Sequence, residues 1–182
     1  MEKAGLLRFF TAIILMTLTL LLAILPQPVY ETVSAFQPVL VVVLLVSLLC
    51  SWVYGFISAL LLPFLLSFIR TGNIELAAFA VDMVVYGVSA LTAGITYRVF
   101  QSSLISCLLA LIAGRAALAI YRIIVSYYSG ITYTLSDFFA EGVMDVLPGL
   151  VLSLLLPPLI MLVLTKTGIA ERLRNAPREF YF

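Results

Sequence analysis

The stretch from Thr32 to Ile69, TVSAFQPVLVVVLLVSLLCSWVYGFISALLLPFLLSFI, contains 38 residues and not one charged side chain. The whole chain has 182 residues, of which 64% are hydrophobic and 10% charged, and its mean hydropathy is +1.21. A bilayer core about 30 Å thick is crossed by roughly 20 apolar helical residues, so this stretch has room for two spans. The composition therefore predicts an all-α integral membrane protein that acts in or across a bilayer.

Apolar runs and the residues that interrupt them predict six transmembrane helices in a single membrane domain over residues 1–182, with a short cytoplasmic tail at 166–182. The predicted spans are 7–25, 36–53, 55–69, 75–98, 102–127 and 137–165. Ser51 to Gly55 is the only plausible turn between the second and third spans. Prolines predict a kink in the third span at Pro63 and a bend in the sixth at 148–149 and 157–158.

Several classes of protein are excluded by the residues that the chain lacks. Histidine is absent, and Cys50 and Cys107 fall in apolar runs far from any other metal-binding residue. This argues against a zinc site, a disulfide framework and histidine-based catalysis. The net charge of +1 provides no basic stripe for nucleic acid, and the sequence has no glycine-rich phosphate loop. Nothing in the sequence therefore indicates a redox enzyme or a cofactor in this chain, and ATP, if it is used, is expected to be hydrolysed by partner subunits.

The distribution of cations predicts the orientation in the membrane. With the N-terminus in the cytoplasm, the outer loops contain one cation, Arg70. Seven cations lie inside: Lys3, Arg8, Arg98, Lys166, Arg172, Arg174 and Arg178. Cytoplasmic loops are enriched in lysine and arginine, so both termini are expected in the cytoplasm.

Ionisable residues on three spans fall in the outer half of the bilayer in this orientation. They are Glu75 and Asp82, Arg115 and Arg122, and Asp137, Glu141 and Asp145. Asp82 lies about 10 Å deeper than Glu75 at ~1.5 Å per residue, and spacings of seven and four residues keep each set on one helical face. A charge in lipid at mid-depth costs about 2.5–3.5 kcal/mol or more, so these groups should face one another or water. The pattern favours a cavity open to the outside.

Each of these charges also has a structural interpretation. Arg115, the deepest cation, is equally well explained by an ion pair with Asp82 or Asp145 that fixes helix packing. Arg122, Glu141 and Glu75 lie nearer the water, where a solvated role is at least as good an explanation as ligand contact. The sequence leaves these alternatives open.

Aromatic and small residues complete the pattern. Most tyrosines near the outer end are typical of an interfacial belt, whereas Tyr86 and Tyr121 are candidates to stack on a flat ligand ring. The candidate substrate-binding residues are Asp82, Tyr86, Arg115, Tyr121, Arg122, Glu141 and Asp145. Small residues form ridges on the fourth and fifth spans that serve internal packing or, alternatively, contact with another membrane subunit. They are Gly87, Ala90, Gly94, Ala110, Ala113, Gly114 and Ala117.

Four segments in order resemble the substrate-binding S component of energy-coupling factor (ECF) transporters. GFISALLLPFLLSFIRTG at 55–72 is similar to that family's third helix and following loop, and DMVVYG at 82–87 to its Glu-Leu-Ala-Ala-Tyr-Gly segment. LIAGR at 111–115 and LPGLVLSLLLP at 147–157 resemble its Leu-Ala-Gly-Arg and Leu-Pro-Gly-Ile segments. The chain departs from the pattern at Asp82, where glutamate is usual, and at Ser153, where glutamine is usual. Its first span also lacks the alanine-x-x-x-alanine ridge of several members.

The resemblance implies a subunit without catalytic activity, in a prokaryotic plasma membrane, that captures a small nutrient in an outward-facing pocket. Members of the family assemble with a transmembrane coupling protein, the T component, and two cytoplasmic ABC ATPases, which drive the S component to tip over in the bilayer. The absence of histidine argues against the cobalt and nickel branch, which leaves a water-soluble vitamin or related micronutrient. The acidic excess of the predicted pocket favours a neutral or cationic ligand.

A second hypothesis is a non-transporting membrane scaffold of the MreD (rod-shape) type, which has a similar six-helix plan. A dry, self-paired cluster of charges would favour that hypothesis over transport. A third, an intramembrane protease of the rhomboid type, fails because the chain has no histidine to activate a serine.

Overall fold

The protein is a bundle of α-helices, described by a computed structural model over residues 2–73, 76–130, 134, 136–137 and 147–174. Strands are absent from those ranges. The helices are α1 (Glu2–Leu20, extended by a 3₁₀ turn at Leu21–Ile24), α2 (Gln27–Ser34), α3 (Pro38–Leu49), α4 (Trp52–Thr71), α5 (Leu76–Phe100), α6 (Ser103–Ser129), α7 (Leu147–Lys166) and α8 (Ile169–Arg174).

The predicted all-α membrane bundle is confirmed as a fold class. Five of the helices in the described ranges are long and apolar enough to cross a membrane, and the count is six if α2 and α3, bent by 52°, are taken together as one span. Some boundaries differ from the prediction: α1 begins at Glu2 rather than at residue 7, and α4 begins at Trp52 rather than near Gly55. Of the predicted sixth span, residues 138–146 lie outside the described ranges. At α4 the difference has a clear cause. The reason is local: the Ser51 hydroxyl accepts a hydrogen bond from the Val53 amide at 3.4 Å and caps the helix, so the turn contracts to Cys50 and Ser51.

Helix α3 forms the centre of the bundle. Nine of its twelve residues are buried, and Leu40, Val43, Leu44 and Val46 have no exposed surface. A helix that is apolar on all sides has no preferred outer face, so neighbours surround it completely. Its one serine, Ser47, donates its hydroxyl to the Val43 carbonyl at 2.8 Å within the same helix. No polar group of this side chain therefore needs a partner outside the helix.

Large apolar side chains cover the outside of the bundle. Ile14 on α1, Ile112 on α6 and Leu159 on α7 are 57–59% exposed, and many others resemble them. In water such a surface would drive aggregation, whereas hydrocarbon chains solvate it without penalty. The outer surface therefore fits a multi-pass membrane protein.

The bend between α2 and α3 is located at Gln37, which adopts the left-handed conformation with φ 48° and ψ 53°. The next residue, Pro38, has no amide hydrogen and cannot continue the hydrogen bonds of α2. The Gln37 amide instead closes the end of α2 on the Ser34 carbonyl at 2.9 Å. The chain thus changes direction, and α2 runs at 52° to α3.

The two ends of the described chain lie together at one end of the bundle. The Arg8 guanidinium on α1 donates to the Leu173 carbonyl on α8 at 2.7 Å. Because successive passes alternate in direction, the last turns of α5 and α7, which contain Arg98 and Lys166, are at this same end. We call it the terminal end; the opposite end contains α2 and Arg70.

Helices α5 and α6 pack closely through small residues, as the internal-packing interpretation of the ridges predicts. The Ser89 hydroxyl on α5 donates to the Ala110 carbonyl on α6 at 3.1 Å. At Gly114 an added Cβ would lie 2.2 Å from Ser89 Oγ and 3.0 Å from the Val85 carbonyl oxygen. Only glycine permits this approach, which brings the two backbones into direct contact.

We expect Gly114→Leu to lower the thermal stability of the purified protein by about 1–3 kcal/mol, because the side chain has no space between α5 and α6. Ala116→Leu is the matched control, since Ala116 is exposed on the lipid-facing side of the same helix. Both variants are compared by thermal unfolding in detergent. Equal melting temperatures for the two would contradict the close contact.

Candidate functional site

A cavity of about 350 Å³ lies at the end of the bundle opposite the terminal end. Its walls come from α2, the first residues of α3, the second half of α4 and the first turns of α5. These segments meet there because α4 ends and α5 begins at that end of the bundle, while the bend at Gln37 lays α2 across it. We call this space the α2 cavity. Its volume is within the range typical of small-molecule sites.

Helix α2 is attached to α4 through Arg70. The Arg70 guanidinium lies 3.7 Å from the centroid of the Tyr30 ring. It also donates hydrogen bonds to the carbonyls of Ala23 and Leu25, at 3.5 and 3.3 Å, and to the side-chain oxygen of Gln27. The Arg70 guanidinium is therefore stabilised by protein oxygens and an aromatic face, which hold it against the wall of the cavity.

Hydroxyl groups on the same walls are already used as donors. Ser34 donates to the Glu31 carbonyl at 2.9 Å, and Ser67 to the Asn73 carbonyl at 3.2 Å. Thr71 donates to the Asn73 or Ser67 carbonyl, at 2.7 and 2.9 Å. A hydroxyl has one hydrogen and two acceptor positions, so these groups have acceptor capacity left but no donor.

Asp82 and Tyr86 line the cavity from α5, as the sequence predicted for both residues. They are four residues apart and therefore lie on one face of the helix. Both side chains are half-buried, and the two interact electrostatically. Within the described part of the chain, Asp82 forms no hydrogen bond and no ion pair. It is a carboxylate that faces a cavity without a protein partner.

Arg115 is next to the cavity but does not pair with Asp82. Its Nη2 donates to the Gln37 side-chain oxygen at 3.0 Å, and it lies within electrostatic range of Tyr86. The hypothesis that Arg115 and Asp82 form an ion pair is therefore wrong, because the amide of Gln37 takes the guanidinium. Asp145, the other partner considered, lies outside the described residues.

Helix α7 packs against Gln37 through Gly149. A Cβ added at Gly149 would lie 2.6 Å from Gln37 Cγ and 2.9 Å from the Ala35 carbonyl oxygen. Gln37, Arg115 and Gly149 therefore connect α3, α6 and α7 at the bend. We call these three residues the Gln37 junction.

The remaining predicted residues are not brought to this cavity by the described structure. Tyr121 and Arg122 are half-buried on α6, nearer its C-terminal end, and neither lines the α2 cavity. Arg122 has an interaction partner elsewhere. Glu75, Glu141 and Asp145 lie outside the described residues.

Asp137 is used in a turn. Its carboxylate accepts hydrogen bonds from the Thr134 amide at 2.8 Å and from the Thr134 hydroxyl at 2.7 Å. The Asp137 amide is itself bonded to the Thr134 hydroxyl at 3.3 Å, which makes a reciprocal capping turn. These bonds hold the pKa of the Asp137 carboxyl below its usual value. The geometry of Asp137 is that of a structural group.

Most residues that line the cavity were not predicted from the sequence, among them Gln27, Tyr30, Gln37 and Arg70. The hydropathy pattern places the first two in the loop between the first two predicted spans, and the charge pattern marks Arg70 only as an outer cation. A signal was present, since polar side chains at 27, 30, 31 and 34 recur at helical spacing between prolines at 26 and 38.

Residues that could bind a metal ion are not clustered in the described part of the chain. Within the described ranges no group of three or more cysteine, aspartate or glutamate side chains is placed to hold a metal ion. Comparison of the chain with protein-family models, with curated proteins and with solved structures found no match. The geometry of the α2 cavity is therefore the basis for any functional proposal.

We expect the Arg115 and Gln37 side chains to be energetically coupled. In a double-mutant cycle of Arg115→Met and Gln37→Leu, each single variant leaves a polar partner unsatisfied, whereas the double variant removes both groups. The single variants should each lose about 1–3 kcal/mol of stability and the double variant less than their sum. The free energy of unfolding of the wild type and the three variants is measured in a denaturing detergent. Strict additivity would show that the hydrogen bond contributes nothing.

Proposed function

We propose that this chain is the substrate-binding S component of an ECF-type importer, which captures a small water-soluble vitamin or related micronutrient from outside. The observation that carries the proposal is the α2 cavity at one end of the membrane bundle. Its walls combine apolar and aromatic side chains with polar groups that can orient a ligand, as small-molecule sites do. The sequence segments similar to the S component add support from an independent direction.

The orientation follows from charge. Lys3, Arg8, Arg98 and Lys166 belong to the terminal end, while Arg70 is beside the cavity. By the positive-inside rule the terminal end faces the cytoplasm, so that both termini are cytoplasmic and the α2 cavity opens to the outside. This arrangement suits capture of a ligand from the medium into a prokaryotic cell.

The source of energy for transport is expected in partners. The sequence contains no nucleotide-binding loop, so ATP is bound and hydrolysed by two ABC ATPases that act through a transmembrane coupling protein. Helix α3 has no ionisable side chain. A bundle with such a centre can tip in the bilayer without moving a central charge through hydrocarbon.

The orientation is tested with single cysteines, because the two native ones, Cys50 and Cys107, are buried. Asn73→Cys lies between α4 and α5 at the cavity end, and Thr167→Cys lies just after α7 at the terminal end. A membrane-impermeant maleimide should label the first in intact cells and the second only after permeabilisation. The reverse pattern would place the cavity in the cytoplasm and contradict capture from outside.

The binding function is tested by filling the cavity. Protein made in rich medium should carry a small molecule that mass spectrometry identifies, and Ser67→Trp should lose it because Ser67 lines the α2 cavity. Ile69→Trp is the control on the same helix, since Ile69 is 53% exposed on the outer surface. Both variants should be purified as monodisperse protein.

Two results would count against the proposal. Absence of any copurified molecule from the wild-type protein, with no effect of Ser67→Trp on stability, would favour the membrane scaffold of the MreD type. Concentrative uptake by the chain alone in liposomes without ATP would contradict the need for ATPase partners.

A further inference from the structure

We propose that the ligand of the α2 cavity is a small organic cation with a flat or apolar body, held by the carboxylate of Asp82. This inference rests on the proposed binding function and adds the chemical class of the ligand. It follows from the charges, the hydrogen-bonding capacity and the walls of the cavity.

The first step concerns charge. Two charged side chains line the cavity, Arg70 and Asp82. The Arg70 guanidinium already contacts the Tyr30 ring and forms three hydrogen bonds to protein oxygens. Asp82 has no hydrogen-bond or ion-pair partner among the described residues. The carboxylate of Asp82 is therefore the charged group of the lining that is left for a ligand to contact, and a cation provides that contact.

The second step concerns hydrogen bonds. The hydroxyls of Ser34, Ser67 and Thr71 donate to backbone carbonyls and retain only acceptor positions. The amide of Gln27 accepts from Arg70 and donates to Glu31 at 2.7 Å, so it offers a ligand little of either kind. The cavity wall thus has unused acceptors on these hydroxyls and on the Asp82 carboxylate, beside donors on the Gln37 amide and the tyrosine hydroxyls. A ligand that carries several N–H donors satisfies the acceptors, as protonated amines and amidinium groups do.

The third step distinguishes an organic cation from a metal ion. A hard metal ion requires several oxygen ligands around one point, and the described residues provide no such cluster. Apolar and aromatic residues line other parts of the cavity, with Leu22, Val39, Leu66 and Tyr86 among them. Such walls bury a hydrocarbon or aromatic body, and the face of a tyrosine also attracts a cation.

The test uses three planar probes that share one ring and differ in charge. They are benzamidinium, which is a cation, benzamide, which is neutral, and benzoate, which is an anion. Binding is measured as the concentration-dependent rise in melting temperature of the purified protein, freed of copurified ligand. We expect benzamidinium to bind at least about tenfold more tightly than either of the others, since only it forms charge-assisted hydrogen bonds to Asp82.

The variants separate the carboxylate of Asp82 from general electrostatics. Asp82→Asn keeps the shape and removes the charge, and it should weaken benzamidinium binding by roughly tenfold to a hundredfold. Glu31→Gln is the control, because Glu31 is an exposed acid on α2 that does not line the cavity. The Glu31→Gln variant retains the Oε1 atom that accepts a hydrogen bond from Gln27, and this variant should bind benzamidinium like the wild type. The melting temperature without probe reports whether each variant is folded.

Each outcome has a defined meaning. Equal or tighter binding of benzamide or benzoate by the wild type, or unchanged benzamidinium binding by folded Asp82→Asn, overturns the cationic class and leaves the binding function intact. No shift with any probe in a protein that copurifies a molecule also overturns the class. Because the three probes are compared on the wild type, the inference is tested even where Asp82→Asn does not fold.

Discussion

The Gln37 junction is the contact on which the cavity end of the molecule depends. Pro38 removes the amide that would continue α2 into α3, and Gln37 takes a left-handed conformation to turn the chain. The Gln37 side chain then receives the guanidinium of Arg115 at 3.0 Å, while Gly149 leaves space for its stem. A straight helix through this point would leave the cavity without the wall formed by α2.

Beneath the cavity, the bundle is held by close packing rather than by hydrophobic exclusion from water. Lipid chains are as apolar as leucine, so helices associate in a bilayer where small residues let their backbones touch. Gly114 against Ser89 provides such a contact between α5 and α6, and Gly55 against Ser47 provides another between α3 and α4. The buried α3 and these contacts form a rigid base, which positions Asp82 and Tyr86 on α5.

Most polar groups at the cavity end form hydrogen bonds with other protein groups, and Asp82 is the informative exception. Arg70 and Arg115 each have protein partners, because a guanidinium without them would be costly at the edge of the hydrocarbon layer. Asp82 has none among the described residues. An uncompensated carboxylate in this position is retained at a cost to stability, as is common for groups that meet a ligand.

By itself the sequence determined the all-α membrane class and the placement of Asp82 and Tyr86 on one face near one end, because hydropathy and helical periodicity are local properties. Only the tertiary structure decided which groups meet. Arg70 reaches Gln27 across 43 residues, and Arg115 reaches Gln37 across 78. Matching depths made Asp82 an equally good partner for Arg115. Which partner Arg115 contacts depends on the rotation of α6 and on the bend at Gln37, and neither is set by the residues within a single span.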